Sequence, residues 1–360
     1  MKPNRIVLAY VVAFGAALTA ALTLASLAAA LHLGGALVGR PSAVLDRWLL
    51  AVTVVALGIL PWPALVVLAR ALLLPARPND FRVERAGVGE AVVALTALNE
   101  EEAIEQAVRG FASESGVGAV LVVDNASTDR TRALAEAAGA QVVEERRRGY
   151  GHACIQALRE GLRSGYPVVI LCEADGTFRA EDVEKLTAYI KHADLVIGSR
   201  THRALLNSDS QLNSFFIIGN VLMAKLLQLR YWDWRMGGIV RLTDTGCTYR
   251  AIRAEALERI LPSLDVGGHH FGPHMVMVAL EHGLRVVEVP VTFCKRIGSS
   301  KGGNASWRMG CVVGLSMIWH ILNYRVRRST AVAFRWDRPD SGAAARRPTY
   351  ARGLRARAGV

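Results

Sequence analysis

The apolar run Val168-Val169-Ile170-Leu171-Cys172 ends in Glu173-Ala174-Asp175-Gly176, so two carboxylates stand at the end of a segment that reads as a buried strand. Two acids so placed suit a divalent cation. Hard oxygen ligands select magnesium or manganese, ions that keep several waters while bridging a protein carboxylate to substrate phosphates. The substrate that follows is a phosphorylated nucleotide. The competing reading is a plain strand-end turn, where Asp-Gly is favoured for its backbone freedom.

Two more polar clusters stand at strand ends. Leu98-Asn99-Glu100-Glu101-Glu102 follows the first strand, and Asp124-Asn125-Ala126-Ser127-Thr128-Asp129-Arg130-Thr131 follows the second. Asn99 could cap a helix whose first turn prefers acids, and Ser127, Thr128 or Asp129 could cap the next. Asp124 and Asn125 precede any such cap. There an aspartate can accept from a base N–H, and an amide can both donate and accept. A nucleoside lying across these two strand ends, with its diphosphate leading to a cation at Asp175, would join all three clusters.

The elements that must position these residues alternate. Ala91–Leu98, Ala119–Val123, Gln141–Glu144, Val168–Cys172 and Leu195–Gly198 read as strands, separated by helices over Glu101–Phe111, Thr131–Ala138, His152–Ser164 and Ala180–Lys191. That order predicts an α/β domain, a Rossmann-like and mainly parallel sheet flanked by helices, with ligands beyond the carboxyl ends of the strands. Val286–Phe293 reads as a further strand. Leu212–Leu229 is an apolar helix, either buried or interfacial.

Before this domain the chain reads as membrane. No charged residue occurs from Ile6 to Leu31, longer than the roughly 20 residues a spanning helix needs, and a second apolar stretch runs from Trp48 to Ala69. Lys2 and Arg5 precede the first span and Arg70, Arg77, Arg82 and Arg85 follow the second, against Arg40 and Arg47 between them, so both ends of the hairpin are expected in the cytoplasm. The expected organisation is a transmembrane hairpin over 1–76, a cytoplasmic catalytic domain over 77–305, an interfacial helix over 306–325 and a basic disordered tail over 326–360. Met309–Asn323 is too short to span, and Trp307 and Trp319 are expected to anchor it at the interface.

The chain carries a formal net charge of +12, and ten arginines lie after Tyr324 against Asp337 and Asp340. Beside a membrane domain such a tail suits anionic lipid, and no nucleic-acid partner is expected. Five scattered cysteines without a C-x-x-C pair form neither a zinc motif nor a disulfide framework. His270 and His274 stand four apart but lack a His-Glu-x-x-His pattern. Gly268–Pro273 is therefore expected to rim the active site and open a helix over Met275–Glu281.

Six segments in order, Val93–Glu101, Val122–Thr131, Arg148-Gly149-Tyr150-Gly151, Glu173-Ala174-Asp175-Gly176, Thr243-Asp244-Thr245-Gly246-Cys247 and Arg296-x-Gly298-x-x-Lys301, resemble the pattern of family-2 glycosyltransferases. The resemblance covers residues 90–305. It implies the GT-A fold, and dolichol- or polyprenyl-phosphate sugar transferases are the most similar branch. It further implies that Asn99 and Glu101 support the nucleotide pocket, joined by Asn125, Arg148 and Gly151, that Asp124 binds the base, and that Glu173 and Asp175 match an acid-x-acid metal motif. Asp244 would face the acceptor as general base or organiser. Arg200, Arg296 and Lys301 would meet anionic oxygens, Arg296–Gly303 forming a glycine-rich loop that closes over the donor.

Three positions depart from the family pattern: Glu173 where aspartate is usual, Thr96 where proline is common, and Tyr150 where a lysine often sits. Asp175 is accordingly expected to be the direct ligand. The implied activity is metal-dependent, inverting transfer of a sugar from a nucleotide-diphosphate sugar to polyprenyl phosphate at the bacterial-type cytoplasmic membrane. A glycolipid or polysaccharide hydroxyl acceptor is the first alternative, although the Gln-x-x-Arg-Trp motif of processive synthases is absent. A membrane-tethered nucleotide-sugar-binding protein without catalysis is the second. A sugar nucleotidyltransferase would need a glycine-rich, arginine-containing loop where Asn99-Glu100-Glu101 stands.

Overall fold

A strand buried along its whole length belongs in the middle of a sheet covered on both faces. Strand β1 (Ala91–Ala97) is such a strand in the computed structural model of the protein, which describes residues 91–207, 210, 214–231, 240–298 and 307–324. The hairpin expected over 1–76, the tail expected over 326–360 and Lys301 lie outside the described residues. Among the described residues no helix is long and apolar enough to cross a membrane. The chain divides into two compact units, and the described residues other than Leu229–Tyr231 belong to the unit built from 81–228 and 240–360.

Strands β2 (Val117–Asp124) and β4 (Val168–Glu173) flank β1 in parallel, and β3 (Gln141–Glu144) adds in parallel to β2. Beyond β4 lies β6 (Arg250–Arg253), antiparallel to both β4 and β5 (Leu195–Ser199), and then β7 (Val286–Pro290), parallel to β5. The seven-stranded order is β3-β2-β1-β4-β6-β5-β7. The sheet is thus mainly parallel, as the alternation predicts, with one reversed strand.

The helices are α1 (Ile104–Ser113), α2 (Thr131–Ala137), α3 (Tyr150–Arg163), α4 (Val183–Ile190), α5 (Ser214–Arg230), α6 (Ala254–Ile260), α7 (Phe271–Glu281) and α8 (Trp307–Asn323). Helix α1 buries Ile104, Val108 and Phe111, the spacing of one helical face. Helix α3 presents its small residues to the sheet: a Cβ on Gly161 would lie 2.4 Å from Val169 Cγ1 on β4. Helix α7 is buried from Phe271 through Leu280 and opens four residues earlier than its periodicity predicts.

Two elements escape the sequence reading. Strand β6 has only four residues and both ends are arginine, which disguises a central strand; α6 follows it without a break. The single helix predicted over Ala180–Lys191 is a 3-10 turn (Ala180–Asp182) leading into α4, and the last predicted strand stops at Pro290. Neither α5 nor α8 is wholly buried. Met223, Ala224 and Leu227 of α5 pack inward while Ile218 and Leu222 face out, and on α8 Val312, Leu315 and Trp319 are 62%, 66% and 70% exposed at helical spacing.

The contact of Gly161 with β4 yields a stability prediction. Gly161→Ala pushes α3 off Val169, and the variant is expected to lose about 1–3 kcal/mol, read as a lower urea midpoint at unchanged slope.

Candidate active site

Strand register gathers the polar clusters along one edge. Ala97 lies across from Asp124, Asp124 across from Glu144, and Thr96 across from Glu173, so β1 to β4 end together. Antiparallel β6 starts at this edge, with Arg250 paired to Leu171 and Ile197. The reversal brings Thr243–Tyr249 to the same edge, and β5 delivers Arg200 there directly after Ser199. Asp124 and Glu173 are two strand spacings apart, about 10 Å, which suits an extended ligand lying across the edge.

Asp175 is buried just past the end of β4. Its Oδ1 accepts from the Thr177 amide at 3.0 Å and the Thr177 hydroxyl at 2.5 Å, while Oδ2 accepts from Arg296 Nη1 at 2.7 Å. The other prong of the same guanidinium, Nη2, is ion-paired with Glu100. One arginine therefore holds two buried acids from the ends of β1 and β4. Glu100 is a residue that sequence reasoning passed over in favour of its neighbours Asn99 and Glu101. Asn99 adopts a left-handed backbone, φ 53°, which turns the glutamate run so that Glu100 reaches Arg296 and Glu101 reaches Arg130 on the flank at 3.2 Å.

Glu173 lacks such a cation. Its Oε1 accepts from the Thr248 hydroxyl at 2.6 Å, and Thr248 is in turn hydrogen-bonded to the Tyr150 hydroxyl. Burial, reinforced by the neighbouring Asp175 charge, pushes the Glu173 carboxyl up to about 7.

Asp244 is completely buried and fully engaged. Arg200 Nε donates to Oδ2 at 2.7 Å and Nη2 to Oδ1 at 2.9 Å, while the amides of Arg200 and Gly246 add bonds of 3.1 Å each. Burial alone would raise this carboxyl, but the Arg200 guanidinium and the amide donors hold it below the usual range. Glu288 of β7 supports the turn from behind, accepting from the Thr243 amide at 2.7 Å and the Asp244 amide at 2.7 Å. Arg250 closes the arrangement: its guanidinium donates to the carbonyls of Cys247 at 2.7 Å, Gly272 at 2.8 Å and Thr245 at 2.6 Å.

At the other end of the edge, Asp124 Oδ1 accepts from the Ser127 amide at 3.2 Å, and the Asn99 side chain accepts from the Thr128 amide at 2.7 Å. Asn99 thus cross-links to the second strand end instead of capping α1, whereas Asp129 Oδ1 accepts from the amide of Thr131, the first residue of α2, at 3.0 Å. Asn125 donates to the Glu145 and Arg147 carbonyls, both at 2.8 Å, and accepts from the Gly149 amide at 3.1 Å, so its amide shapes the turn after β3. That turn carries Arg148, which is exposed and without a partner among the described residues. Gly151 fits where no Cβ could: one there would lie 2.1 Å from the Val266 carbonyl oxygen, and its amide donates to the Gly267 carbonyl at 2.9 Å.

The donor set fits a small hard cation only in part, and the part is informative. Asp175 and Glu100 already share one positive group, and Glu173 stands two residues away, so oxygen ligands and a demand for cationic charge are both present. Among the described residues no three His, Cys, Asp or Glu side chains form a cage of their own. An ion here would take one or two carboxylates and complete its shell with water and phosphate, the habit of magnesium rather than of a structural metal.

Two predictions follow from these pairs. Asp244→Asn strands a buried guanidinium and is expected to cost about 3–5 kcal/mol, whereas Arg200→Met with Asp244→Leu restores most of it; chemical denaturation of both variants checks this. Glu173 has the opposite linkage sign to a paired acid. Its folded carboxyl titrates near 7, against about 4.3 unfolded, so the folded state binds the extra proton between those values. Stability should fall as pH rises through that window, and Glu173→Gln should flatten the fall in thermal unfolding between pH 5 and 7.5.

The sequence pattern of "Glycosyl transferase family 2" matches residues 92–261, which span β1 to β6 and the candidate site apart from Gly272, Glu288 and Arg296. Undecaprenyl-phosphate mannosyltransferase of Micrococcus luteus is 33% identical over 192 residues, 51% of this chain and 74% of that protein. Polyprenol monophosphomannose synthase of Mycolicibacterium smegmatis is 32% identical over 210 residues, 52% of this chain and 72% of that protein. Glucosyl-3-phosphoglycerate synthase from Mycobacterium tuberculosis, crystallised with Mn2+ and uridine-diphosphate-glucose, has a TM-score of 0.49 and 18% identity, covering 69% of this chain and 87% of that chain. With relatives this similar over most of their own length, and the family pattern lying on the sheet and its polar edge, the chain belongs to glycosyl transferase family 2 and has a GT-A-like α/β fold.

Proposed function

We propose that the protein is a membrane-bound, metal-dependent, inverting glycosyltransferase that moves a sugar from a nucleotide-diphosphate sugar to polyprenyl phosphate. The observation that carries this reading is the edge itself, where buried Asp175 pairs with Arg296 and buried Asp244 with Arg200, with half-buried Glu173 between them at the end of β4. The names of the two bacterial relatives, both transferases to a polyprenyl phosphate, supply the acceptor class.

In this reading Asp124 accepts from the base, while Asn125 and Gly151 fix the turn that offers Arg148 to a phosphate. Asp175, with Glu100 and Glu173 near it, would hold magnesium or manganese, which when bound neutralises the departing diphosphate. Most of the acceleration then comes from positioning and from charge already in place. The acceptor attacks from the face opposite the diphosphate.

The state of Asp244 bears on the acceptor. A sugar or lipid hydroxyl needs a general base with a pKa near the working pH, but Arg200 and two amides hold the Asp244 carboxyl low and occupy it. A phosphate acceptor is already anionic and needs no base. It would be met by Arg200, with Asp244 as the residue that aims the guanidinium. The exposed apolar side chains of α8 and the expected N-terminal hairpin fit a catalytic domain working at the cytoplasmic face of a membrane.

Asp175→Asn is the direct test. With a nucleotide-sugar panel, polyprenyl phosphate and Mg2+ or Mn2+, the wild-type chain should form an acid-labile lipid-linked sugar, and the variant should lose at least about a hundredfold in rate while still unfolding in one cooperative thermal transition. Full activity in the variant overturns the mechanism. An acid-stable product on a lipid hydroxyl would instead select the alternative acceptor.

A further inference from the structure

We propose that Arg296 is the built-in countercation of the site: it holds Asp175 and Glu100 until a divalent cation displaces it, making cation entry and release of the Cys294–Gly298 segment one event. The inference rests on the metal-diphosphate reading above and adds to it what the site does before the cation arrives.

The first support is charge. Asp175 and Glu100 come from the ends of neighbouring strands and both are buried, their side chains 4% and 8% exposed, and the two prongs of Arg296 reach one each. Two buried carboxylates this close require a cation, and a planar guanidinium can serve both at once. A divalent ion bound to Asp175 Oδ2 would stand against the same guanidinium. Like charges in contact repel, so the ion and the arginine are alternatives at this position.

The second is how little else fastens the segment. The Ile297 amide donates to the Asp175 carbonyl at 3.1 Å and the Cys294 amide to the Thr177 carbonyl at 2.7 Å. The Ile297 side chain lies over Gly176, whose φ of 76° and missing Cβ make room for it; a Cβ there would be 2.7 Å from Ile297 Cδ1. Arg296 supplies the charged fastening among these contacts. Losing it leaves, among the described residues, two backbone bonds, the Arg179 Nε donation to Cys294 Sγ at 3.1 Å and one apolar contact.

The third is an unsatisfied donor. Among the described residues Arg296 Nε is buried with no hydrogen-bond partner, although both terminal nitrogens are used. An unmet buried donor is costly, so this is a resting position that a better-satisfied one can replace. Freed from the acids, the guanidinium can offer all its donors to phosphate oxygens.

The test uses the full-length chain in detergent with Mn2+ alone, followed by titration calorimetry and by hydrogen exchange at the Cys294 and Ile297 amides. Arg296→Gln should bind Mn2+ about tenfold more tightly than wild type. In the wild type Mn2+ should speed exchange at both amides; in the variant exchange should already be fast and should not respond. Equal or weaker Mn2+ affinity in Arg296→Gln overturns the countercation while leaving the metal-dependent function standing. Should that variant not fold, unchanged wild-type exchange on Mn2+ binding overturns it equally. If wild type binds no Mn2+, alone or with a nucleoside diphosphate, the functional reading falls and this inference with it.

Discussion

A carboxylate taken out of water keeps its charge only beside a cation or a set of N–H donors, and the edge of this sheet is organised by that requirement. Two unit charges 4 Å apart attract by about 4 kcal/mol at an effective dielectric of 20, enough to fix which acids stay ionised. Asp244 has Arg200 and stays low; Glu173 has the Thr248 hydroxyl and more distant arginines, which burial and the Asp175 charge outweigh, and it rises; Glu288, held by backbone amides, rises as well because burial outweighs them. Arg250 is the mirror case, a buried cation satisfied by three carbonyls, and burial lowers it. These contacts tie β5, the lead-in to β6, β6 itself, β7 and the start of α7 to one another. The reversed strand earns its place here, since an antiparallel β6 is what brings Thr243–Tyr249 to the same edge as the ends of the parallel strands.

The strands that carry the acids are legible in the sequence because a fully buried strand is a continuous apolar run, and the residue that ends the run is the residue at the edge. Val168–Cys172, which ends at half-buried Glu173, and the buried run Ala91–Ala97 are both of this kind. β6 is not, because its burial depends on Arg250 finding carbonyls that no local pattern announces. The same limit hides the partners. Arg200 and Asp244 are 44 residues apart and Arg296 and Asp175 are 121 apart, so nothing near either acid names its cation. That Glu100 is the glutamate that meets Arg296 is hidden for a local reason: the left-handed turn at Asn99 rotates the run, and Asn99 adopts that backbone while cross-linking to Thr128 instead of capping a helix.

Glycine at 151 shows the other side of this limit. The family pattern marks the position, but its physical reason is tertiary: the backbone of Val266-Gly267 passes so close that any Cβ would collide with it. The contact locks the turn bearing Arg148 to the segment that leads into α7. An exposed arginine is thereby mounted on a rigid support, which is how a flexible side chain becomes a defined charge at a binding edge.

The two departures from the family pattern at Glu173 and Tyr150 are one change rather than two. Glu173 reaches the Thr248 hydroxyl, and Thr248 reaches the Tyr150 hydroxyl, so the positions are joined through a single shared residue. A lysine at 150 would bring an ammonium towards the acid; a tyrosine brings a neutral donor. The acid then loses a source of charge stabilisation and its carboxyl moves up toward neutrality, as burial beside Asp175 dictates. The edge has its fixed charges in Asp175, Glu100 and Arg296 and in the Arg200–Asp244 pair, while the longer glutamate accepts from the hydroxyl chain. Two positions that look unrelated when each is read alone are, in three dimensions, the two ends of one hydrogen-bond chain through Thr248.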